Sequence, residues 1–558
     1  MSERRLWIKV GALFAVLYVA LLGVRPMITP DEPRYGAMAA DMLASGEWLK
    51  LRMAGFTYYE KPPLGTWLIA LSEAAFGHGA FAVRLPGALG SLASALAAGM
   101  VARRLLRRPE AAPLAALVQL TTVFPMVIGT FAVLDPIFTA FTSLTLAWFL
   151  VGAQSAGRPR TAWLLASGAA AGLAFLTKGL LGLAIPAVAA GAWLAWERRW
   201  RDLLALPWLP MLGAAVVAGP LALLLHRSEP RFWNYFVVVE HLRRFARPDE
   251  NQHAEPWWLL SAVLAGGSLF WLVVWPRAAG ALRGDAALRS VRRFCVAWVA
   301  GPLVLMSLSA GKLPTYVLPL FPPLSALVAC GLLRWREGVA STRDAGTTVV
   351  VALTGTLAAA AFVLALVGGG PFGLATPWSS GEALRWCVLG LALLSWAMLE
   401  LRSHRAPGSA AWLARCAWIP VPTLLCVHIL LPDAALSAPK APWPLLARHD
   451  GPLRAAPTLV LTNSVAHAVN WSTGRTDMVI AGSPSEFDNE LGIPEEQDRL
   501  VRYDRLDAAL SAWLERGPVT MIVDAGAAAQ VAEAHPTWVR LRETVGDLGV
   551  LVLERPAP

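Results

Sequence analysis

Charged residues and cysteines are scarce in this chain. Only 15% of its 558 residues are charged, whereas soluble proteins carry about 25%, and 56% are hydrophobic. The apolar residues fall in blocks long enough to cross a bilayer, which takes roughly 20 residues per helix. An ordinary soluble domain is therefore excluded. The sequence predicts a polytopic α-helical membrane protein, because helices satisfy their own backbone polar groups in lipid.

The five cysteines form no C-x-x-C pair, and all of them lie in apolar blocks. This pattern excludes a disulfide framework or a cysteine-ligated zinc site, and it is typical of small buried apolar side chains. A signal-peptide cleavage site is also missing. Residues 1–24 combine a basic start with a long apolar run, which predicts a retained first span.

Thirteen apolar blocks predict about 13 transmembrane helices. The net charge of +10 lies mostly in short connections between these blocks, as the positive-inside rule requires, so we expect no nucleic-acid partner. The basic connections define the cytoplasmic side, and thirteen spans then place the C-terminus outside. The blocks cover approximately residues 6–26, 80–102, 111–129, 132–153, 161–177, 180–197, 203–226, 257–276, 294–310, 315–333, 347–368, 384–401 and 411–432.

The composition turns polar at about Asp433. Short β-rich runs, such as 458–461, 519–523 and 550–553, then alternate with the helical stretches 505–516 and 526–534. The sequence predicts a transmembrane domain over residues 1–432 and a small periplasmic α/β domain over residues 433–558.

Polar residues gather at the predicted outer ends of the spans. The connections 27–79 and 227–256 are rich in charge, and Asp135, Lys178 and Lys312 lie at span ends. Each has a simpler explanation when taken singly, since lysines snorkel to the interface and Asp135 before Pro136 fits a helix cap. Together they predict an active site at the outer leaflet, because ionisable groups at membrane depth are costly and usually functional.

Three outer motifs carry a family resemblance. They read Thr29-Pro30-Asp31-Glu32-Pro33-Arg34-Tyr35 with Tyr58-Tyr59-Glu60-Lys61-Pro62-Pro63, then Glu240-His241-Leu242-Arg243-Arg244-Phe245, then Lys312-Leu313-Pro314-Thr315-Tyr316. This set resembles the aminoarabinose transferase family, a bacterial branch related to the protein O-mannosyltransferases, over most of the thirteen spans. The resemblance implies a glycosyltransferase of GT-C type whose active site is formed by the loops 27–79 and 227–256.

The resemblance also implies which residues bind the lipid phosphate. It assigns that role to Lys61 and Tyr316 together with a nearby arginine, for which Arg244 and Arg247 are our candidates and Arg243 remains an alternative. Breaking a sugar–phosphate bond leaves a more negative polyprenyl phosphate. Cationic and phenolic donors that are already in place suit this developing charge.

Asp31 is the candidate catalytic residue, either as a general base or as the group that orients the acceptor. The usual acceptor of the family is a phosphate of lipid A, which is largely dianionic at neutral pH because its second pKa is about 6. It hardly needs to lose a proton, so the proton role of Asp31 stays open. A helix cap after Pro30 is the structural alternative for Asp31.

A sugar and acceptor cavity is implied by the same resemblance. The residues assigned to it are Arg34, Tyr35, Asp135 and Lys178, and Tyr58 is expected to add stacking and hydroxyl contacts. An acidic group there would pair with the cationic amino group of aminoarabinose.

Glu60 and His241 match a pair that holds a metal in the family, with zinc as the expected ion. Two ligands are fewer than the four that are typical of a structural zinc site. We therefore expect any such metal to organise the loops rather than to take part in the chemistry, and we expect no organic cofactor.

The function implied is that of an inverting, lipid-donor pentosyltransferase. It would move 4-amino-4-deoxy-L-arabinose from undecaprenyl phosphate to lipid A at the periplasmic face of the bacterial inner membrane. This lipopolysaccharide modification lowers the negative charge of the outer surface and gives resistance to cationic peptides such as polymyxin. The alternatives are a related transferase with a different sugar or a glycan or protein acceptor, a lipid transporter, and a non-catalytic scaffold. Transporters often show matching inverted halves, which this sequence lacks.

Overall fold

The computed structural model describes residues 2–243, 255–337, 345–367, 382–403, 409–428, 439–483, 485–487 and 493–556. The chain divides into two compact units, one of Met1–Leu22 with Arg84–Leu430 and one of Gly23–Val83 with Leu431–Pro558. The second unit combines the first outer loop with the C-terminal residues. The sequence prediction grouped that loop with the membrane helices instead, because its long-range partners cannot be read from local patterns.

The first unit is built from helices. A π-helical turn, Ala15–Val19, follows the first of them, and a second π-helical segment covers Asn234–Arg243. Two short 3₁₀ segments are Pro314–Leu320 and Cys426–His428. The α-helices are Glu3–Phe14, Ala80–Leu106 (which enters this unit at Arg84), Ala111–Thr121, Val123–Gly129, Asp135–Ala153, Gly157–Lys178, Leu181–Trp196, Trp200–Ala205, Trp208–Ser228, Leu259–Gly267, Leu269–Ala281, Arg289–Leu308, Phe321–Glu337, Ala345–Val367, Glu382–Ser403, Ser409–Trp418 and Val421–Leu425.

Each of the thirteen predicted apolar blocks contains helix in its described part. Within the described ranges, five helices are long and apolar enough to cross a membrane, or six if one bent pair counts as a single span. The number of thirteen spans therefore stays a prediction. The five helices are Ala80–Leu106, Asp135–Ala153, Trp200–Ser228, Arg289–Leu308 and Pro314–Glu337.

The bent pair consists of Ala111–Thr121 and Val123–Gly129, which meet at 70°. Thr122 between them has extended backbone angles, so the helical hydrogen bonds stop there. Pro125 lies in the first turn of the second helix, where its missing N–H leaves no intrahelical bond unmade. The break follows from these two residues.

Large apolar side chains face outward along the helix Trp208–Ser228. Trp208, Met211 and Val216 are each more than half exposed. Exposed apolar surface of this extent is unfavourable in water and indicates contact with lipid or protein. It agrees with the prediction of a multi-pass membrane protein.

An apolar cluster holds the 3₁₀ segment Pro314–Leu320 in place. Val317, Leu318 and Leu320 are buried in it with side chains from six helices, and Tyr316 packs against it. Nε1 of Trp298 donates a hydrogen bond of 3.0 Å to the carbonyl oxygen of Pro319. The position of Tyr316 is therefore constrained by its own packing against the cluster and by the buried residues that follow it in the sequence.

The second unit contains a small α/β domain, as predicted for its C-terminal residues. Its helices are Asp31–Ser45, Leu64–Phe76, Trp443–Arg448, Asp450–Ala455, Asn463–Thr473, Pro494–Gln497, Tyr503–Trp513 and Ala525–Ala534, with a 3₁₀ turn at Ser485–Phe487. Its strands are β1 (Arg52–Met53), β2 (Phe56–Thr57), β3 (Thr458–Thr462), β4 (Val479–Ala481), β5 (Leu500–Val501), β6 (Val519–Asp524), β7 (Val539–Val545) and β8 (Leu548–Leu553).

Six of these strands form one mixed sheet in the order β5-β4-β3-β6-β8-β7. Strands β5, β4, β3 and β6 run parallel to one another, while β8 is antiparallel to both β6 and β7. The almost continuous apolar runs of β3, β6 and β8 are buried, as expected for central strands covered on both faces. Strands β1 and β2 form a separate antiparallel hairpin.

Candidate active site

The second unit holds the acidic residue that the sequence singles out. Asp31 is the first residue of the helix Asp31–Ser45, and its side chain is 50% exposed. Pro30 occupies the cap position, and no side chain caps the helix. Asp31 instead contacts Nη2 of Arg34, one turn further along the same helix. The structural alternative of a helix cap therefore does not describe this residue.

Its neighbour Glu32 has a different environment. The Glu32 carboxylate is buried, accepts a hydrogen bond of 2.9 Å from Nη1 of Arg25 and accepts another of 2.9 Å from the backbone N–H of Ile28. Both partners of the ion pair are essentially inaccessible. Of the two acids, Glu32 stabilises the fold and Asp31 faces solvent, where a substrate can reach it.

Arg34 connects this helix to the C-terminal residues of the same unit. Its Nη1 contacts Glu486, and the other oxygen of Glu486 lies 2.5 Å from Nε2 of His467. Burial alone would raise the pKa of Glu486, but the charges of Arg34 and His467 outweigh it and hold the pKa well below its usual range. Glu486 is therefore ionised throughout the physiological pH range.

Tyr35 and the segment Tyr58–Lys61 surround the same region of the second unit. Burial raises the pKa of Tyr35, while the positive charges of Arg34 and Lys61 act in the opposite direction. Nζ of Lys61 is 3.1 Å from the carbonyl oxygen of Glu60 and 3.7 Å from its Oε2, and the Tyr58 hydroxyl is 3.5 Å from that Oε2. The structure thus brings six of the predicted residues together: Asp31, Arg34, Tyr35, Tyr58, Glu60 and Lys61.

The first unit brings together three more predicted residues. Asp135 is the first residue of the helix Asp135–Ala153, and its Oδ1 lies 2.5 Å from Nζ of Lys178 at the end of the helix Gly157–Lys178. Nζ of Lys178 also lies 5.0 Å from the centre of the Tyr316 ring. The two charged side chains are only 9% and 12% exposed, so snorkelling to the interface does not explain Lys178.

Lys312, by contrast, donates hydrogen bonds to backbone carbonyl groups. It is 3% exposed, and its Nζ donates hydrogen bonds of 2.7 Å to the carbonyl oxygen of Glu255 and 3.4 Å to that of Ala310. Two of the predicted phosphate ligands, Arg244 and Arg247, lie outside the described residues.

His241 allows a test of the expected metal site. Its Nδ1 lies 2.6 Å from the carbonyl oxygen of Phe236, and its Nε2 lies 3.3 Å from the backbone nitrogen of Leu180, which donates to it. Both ring nitrogens are therefore engaged by backbone groups, and a metal would have to displace one of them. In the described parts of the chain, no group of three or more His, Cys, Asp or Glu side chains could hold a metal ion. The residues as placed do not fit a bound metal, so no step is assigned to one, and the pair Glu60 and His241 stays a prediction.

Two residues that join Arg34 in the second unit, Glu486 and His467, were not predicted from the sequence. Glu486 lies in a short polar turn and His467 lies in the helix Asn463–Thr473, which reads as an ordinary amphipathic helix. Both are more than 430 residues from Arg34 in sequence. A local motif gives no sign of such contacts.

The comparisons with known proteins define the class as a membrane glycosyltransferase of GT-C fold. The family model of the dolichyl-phosphate-mannose-protein mannosyltransferases matches residues 5–236, and that of the C-terminal domain of the arabinosyl transferase ArnT matches residues 437–544. The chain belongs to the family of the undecaprenyl phosphate-alpha-4-amino-4-deoxy-L-arabinose arabinosyl transferases, as the following relatives show.

The relative from Edwardsiella ictaluri is 32% identical over 541 residues, which is 95% of this chain and 96% of the relative. The relative from Pseudomonas aeruginosa is also 32% identical, over 92% of this chain and 91% of its own length. The crystal structure of ArnT from Cupriavidus metallidurans bound to undecaprenyl phosphate matches the whole of both chains, with a TM-score of 0.80 and 23% sequence identity. This structural likeness shows the common fold.

Proposed function

We propose that this glycosyltransferase moves 4-amino-4-deoxy-L-arabinose from undecaprenyl phosphate to a phosphate of lipid A. The observation that carries the proposal is the identity of 32% to a relative named for that donor, over 95% of this chain. The enzyme would work at the periplasmic face of the inner membrane. The basic connections between the helices support this orientation, because they belong on the cytoplasmic side.

The reaction breaks the bond between C1 of the sugar and the phosphate oxygen of the donor, and it forms a bond from C1 to an oxygen of the acceptor phosphate. The leaving undecaprenyl phosphate gains negative charge as the bond breaks. Lys61, Tyr316 and an arginine of the 243–247 segment are proposed to meet that charge. Donors fixed before the reaction stabilise the transition state more than mobile ones.

Asp31 and Arg34 are proposed to orient the acceptor. A lipid A phosphate is already largely dianionic at neutral pH, since its second pKa is about 6, and it needs no general base. The Arg34 guanidinium contacts Asp31, and the Asp31 side chain of this pair is half exposed. The second acid, Asp135, pairs with Lys178, and the amino group of aminoarabinose would compete for that carboxylate.

A reconstituted assay tests the proposal. Purified chain in phospholipid vesicles is given undecaprenyl-phosphate aminoarabinose and lipid A, and the product is followed by mass spectrometry. We expect product from wild type and a loss of about 100-fold or more in both D31N and K61A, in line with the removal of a preplaced charged group. The matched controls are D504N and K440A, which change exposed residues of the same unit and should leave turnover unchanged.

Product from wild type with another acceptor but none with lipid A would move the conclusion to the related transferase. Movement of the intact donor across the vesicle without any cleavage would indicate a lipid transporter. Full turnover in D31N and K61A would remove the proposed roles of these two residues.

A further inference from the structure

A chain of ion pairs joins the C-terminal residues of the second unit to the acidic helix. Arg34 contacts Asp31 through one guanidinium nitrogen and Glu486 through the other. The remaining oxygen of Glu486 lies 2.5 Å from Nε2 of His467. Three consecutive contacts therefore connect the buried imidazole of His467 to the solvent-facing carboxylate of Asp31.

We propose that His467 is a positioning residue of the transferase, which acts through Glu486 and Arg34 to orient Asp31. The inference rests on the proposed function and deepens it, because it gives the C-terminal residues a part in the same reaction. His467 itself is buried and would not touch the substrate.

The His467 ring is fixed in its orientation. Its side chain is 1% exposed, and it stacks on the Phe487 ring with centroids 5.1 Å apart and planes at 19°. Phe487 in turn packs edge-on against Phe56, at 5.1 Å. These contacts hold the plane of the imidazole, and its Nε2 points to Glu486.

The placement of His467 is not what stability alone would favour. Its Nδ1 is buried and makes no hydrogen bond within the described part of the chain. Burying a polar atom without a partner costs free energy, and such atoms need an explanation. The position is useful because the other ring nitrogen, Nε2, fixes the Glu486 carboxylate against the second side of the Arg34 guanidinium.

A second histidine of the same unit provides a matched control. His449 is also buried, and its Nε2 lies 2.6 Å from Oε2 of Glu543, whose other oxygen contacts Arg448. This triad has the same three residue types as His467, Glu486 and Arg34, although Arg448 and Glu543 are more exposed. Within the described residues, however, it makes no contact with Asp31 or Arg34.

The experiment compares H467L, H467Q and H449L as full-length reconstituted chains, with thermal unfolding as a check on folding. We expect turnover to fall about tenfold or more in H467L, because a hydrogen bond to a charged group is lost. The glutamine amide of H467Q donates to the same carboxylate, so this variant should keep turnover within about threefold of wild type. H449L should remain close to wild type.

A double-mutant cycle separates positioning from a general effect on stability. If His467 acts through Glu486, the change from His467 to Leu should have little further effect in the E486Q background. Equal effects in both backgrounds, an H467L turnover near that of wild type, or an equal loss in H449L would each overturn the proposal.

Hydrogen exchange gives a readout that does not depend on the donor. Peptides covering residues 31–45 should exchange faster in H467L and E486Q than in wild type and H449L. This result stands even if wild type forms no product from undecaprenyl-phosphate aminoarabinose, in which case only the proposed donor fails. Unchanged exchange of those peptides in H467L would refute the positioning role.

Discussion

At the scale of single residues, the adjacent acids Asp31 and Glu32 have different roles. The Asp31 side chain is 50% exposed and contacts Arg34, whereas Glu32 is buried against Arg25. A sequence shows only the acidic pair. The difference arises because successive residues on a helix point about 100° apart, so one faces the interior and the other the solvent.

This difference predicts opposite consequences for the two amide substitutions. E32Q should lower the free energy of unfolding by about 3–5 kcal/mol, because it removes the charge of the carboxylate that is buried against Arg25. D31N should leave the unfolding transition nearly unchanged and lower turnover about 100-fold or more. Thermal unfolding and turnover, measured on the same preparations, check both. A D31N protein that unfolds as readily as E32Q would mean that Asp31 is structural.

At the scale of elements, a glycine allows the helix Gly157–Lys178 to end where Lys178 meets Asp135 and Tyr316. Gly179 follows Lys178 with φ +83° and ψ −147°, a conformation that L residues with a side chain rarely adopt. A Cβ at this position would lie 2.5 Å from the Phe236 ring and 2.6 Å from Nε2 of His241. The helix end therefore fits its surroundings only with glycine.

G179A should destabilise the protein by about 1–3 kcal/mol and reduce turnover, because both the backbone and the two aromatic neighbours must move. G266A is the control: Gly266 lies within a helix, and a Cβ there meets nothing within 4 Å. That change should be neutral or slightly stabilising, since alanine favours helix. Equal unfolding temperatures for G179A and G266A would contradict this account.

A second element contact predicts a dependence on pH. His78 bonds Glu73 through Nδ1 at 3.0 Å, and its ring lies over Trp471 of the helix Asn463–Thr473, with centroids 3.6 Å apart. The hydrogen bond to Glu73 raises the pKa of His78, and burial raises the pKa of Glu73. A raised histidine pKa stabilises the fold fully below the unfolded pKa of about 6.5, and the stabilisation is lost as the pH rises through the folded value.

The raised pKa of Glu73 has the same sign, but its effect begins near the unfolded glutamate pKa of about 4.3, so the change above pH 6 is assigned to His78. The unfolding temperature should therefore fall between pH 6 and pH 8 in wild type. H78Q should show a smaller fall across this range. A steeper fall in H78Q than in wild type would exclude this contact as the source.

The secondary-structure elements could be predicted from the sequence more fully than the contacts between them. The three β-rich runs and the apolar blocks were predicted correctly as strands and helices, since burial and periodicity are local properties. Asp135 and Lys178 could be singled out because charge in an apolar context is conspicuous, whereas Asp31 and Lys61 stood out because their motifs resemble those of the family. Glu486 and His467 could not, because their role depends on contacts across more than 400 residues.

At the scale of the whole molecule, the second unit is discontinuous in sequence. Thr57 donates from its backbone nitrogen and its hydroxyl to Oε1 of Glu496, at 2.9 Å and 2.6 Å. Arg499 donates to the carbonyl oxygen of Ala54 at 3.0 Å and lies 4.1 Å from the centre of the Phe56 ring. The C-terminal residues therefore share their packing with residues 23–83.

This predicts that a fragment of residues 433–558 is less stable than the same residues in the full chain. Alone, it would leave Arg499 without its contacts to Ala54 and Phe56 and would expose the Trp471 face that packs on Gly36. We expect faster hydrogen exchange over residues 463–473 in the fragment. Equal protection in fragment and full chain would show that the C-terminal residues fold independently.

The contact between Arg34 and Glu486 also bears on how this family can be recombined. A hybrid enzyme that takes only its C-terminal segment from a relative would combine Arg34 of one parent with the residue that replaces Glu486 in the other parent. Exchanging residues 23–83 together with residues 431–558 keeps the matched surfaces in one piece. Such hybrids should therefore have three crossover points, near residues 22, 83 and 430.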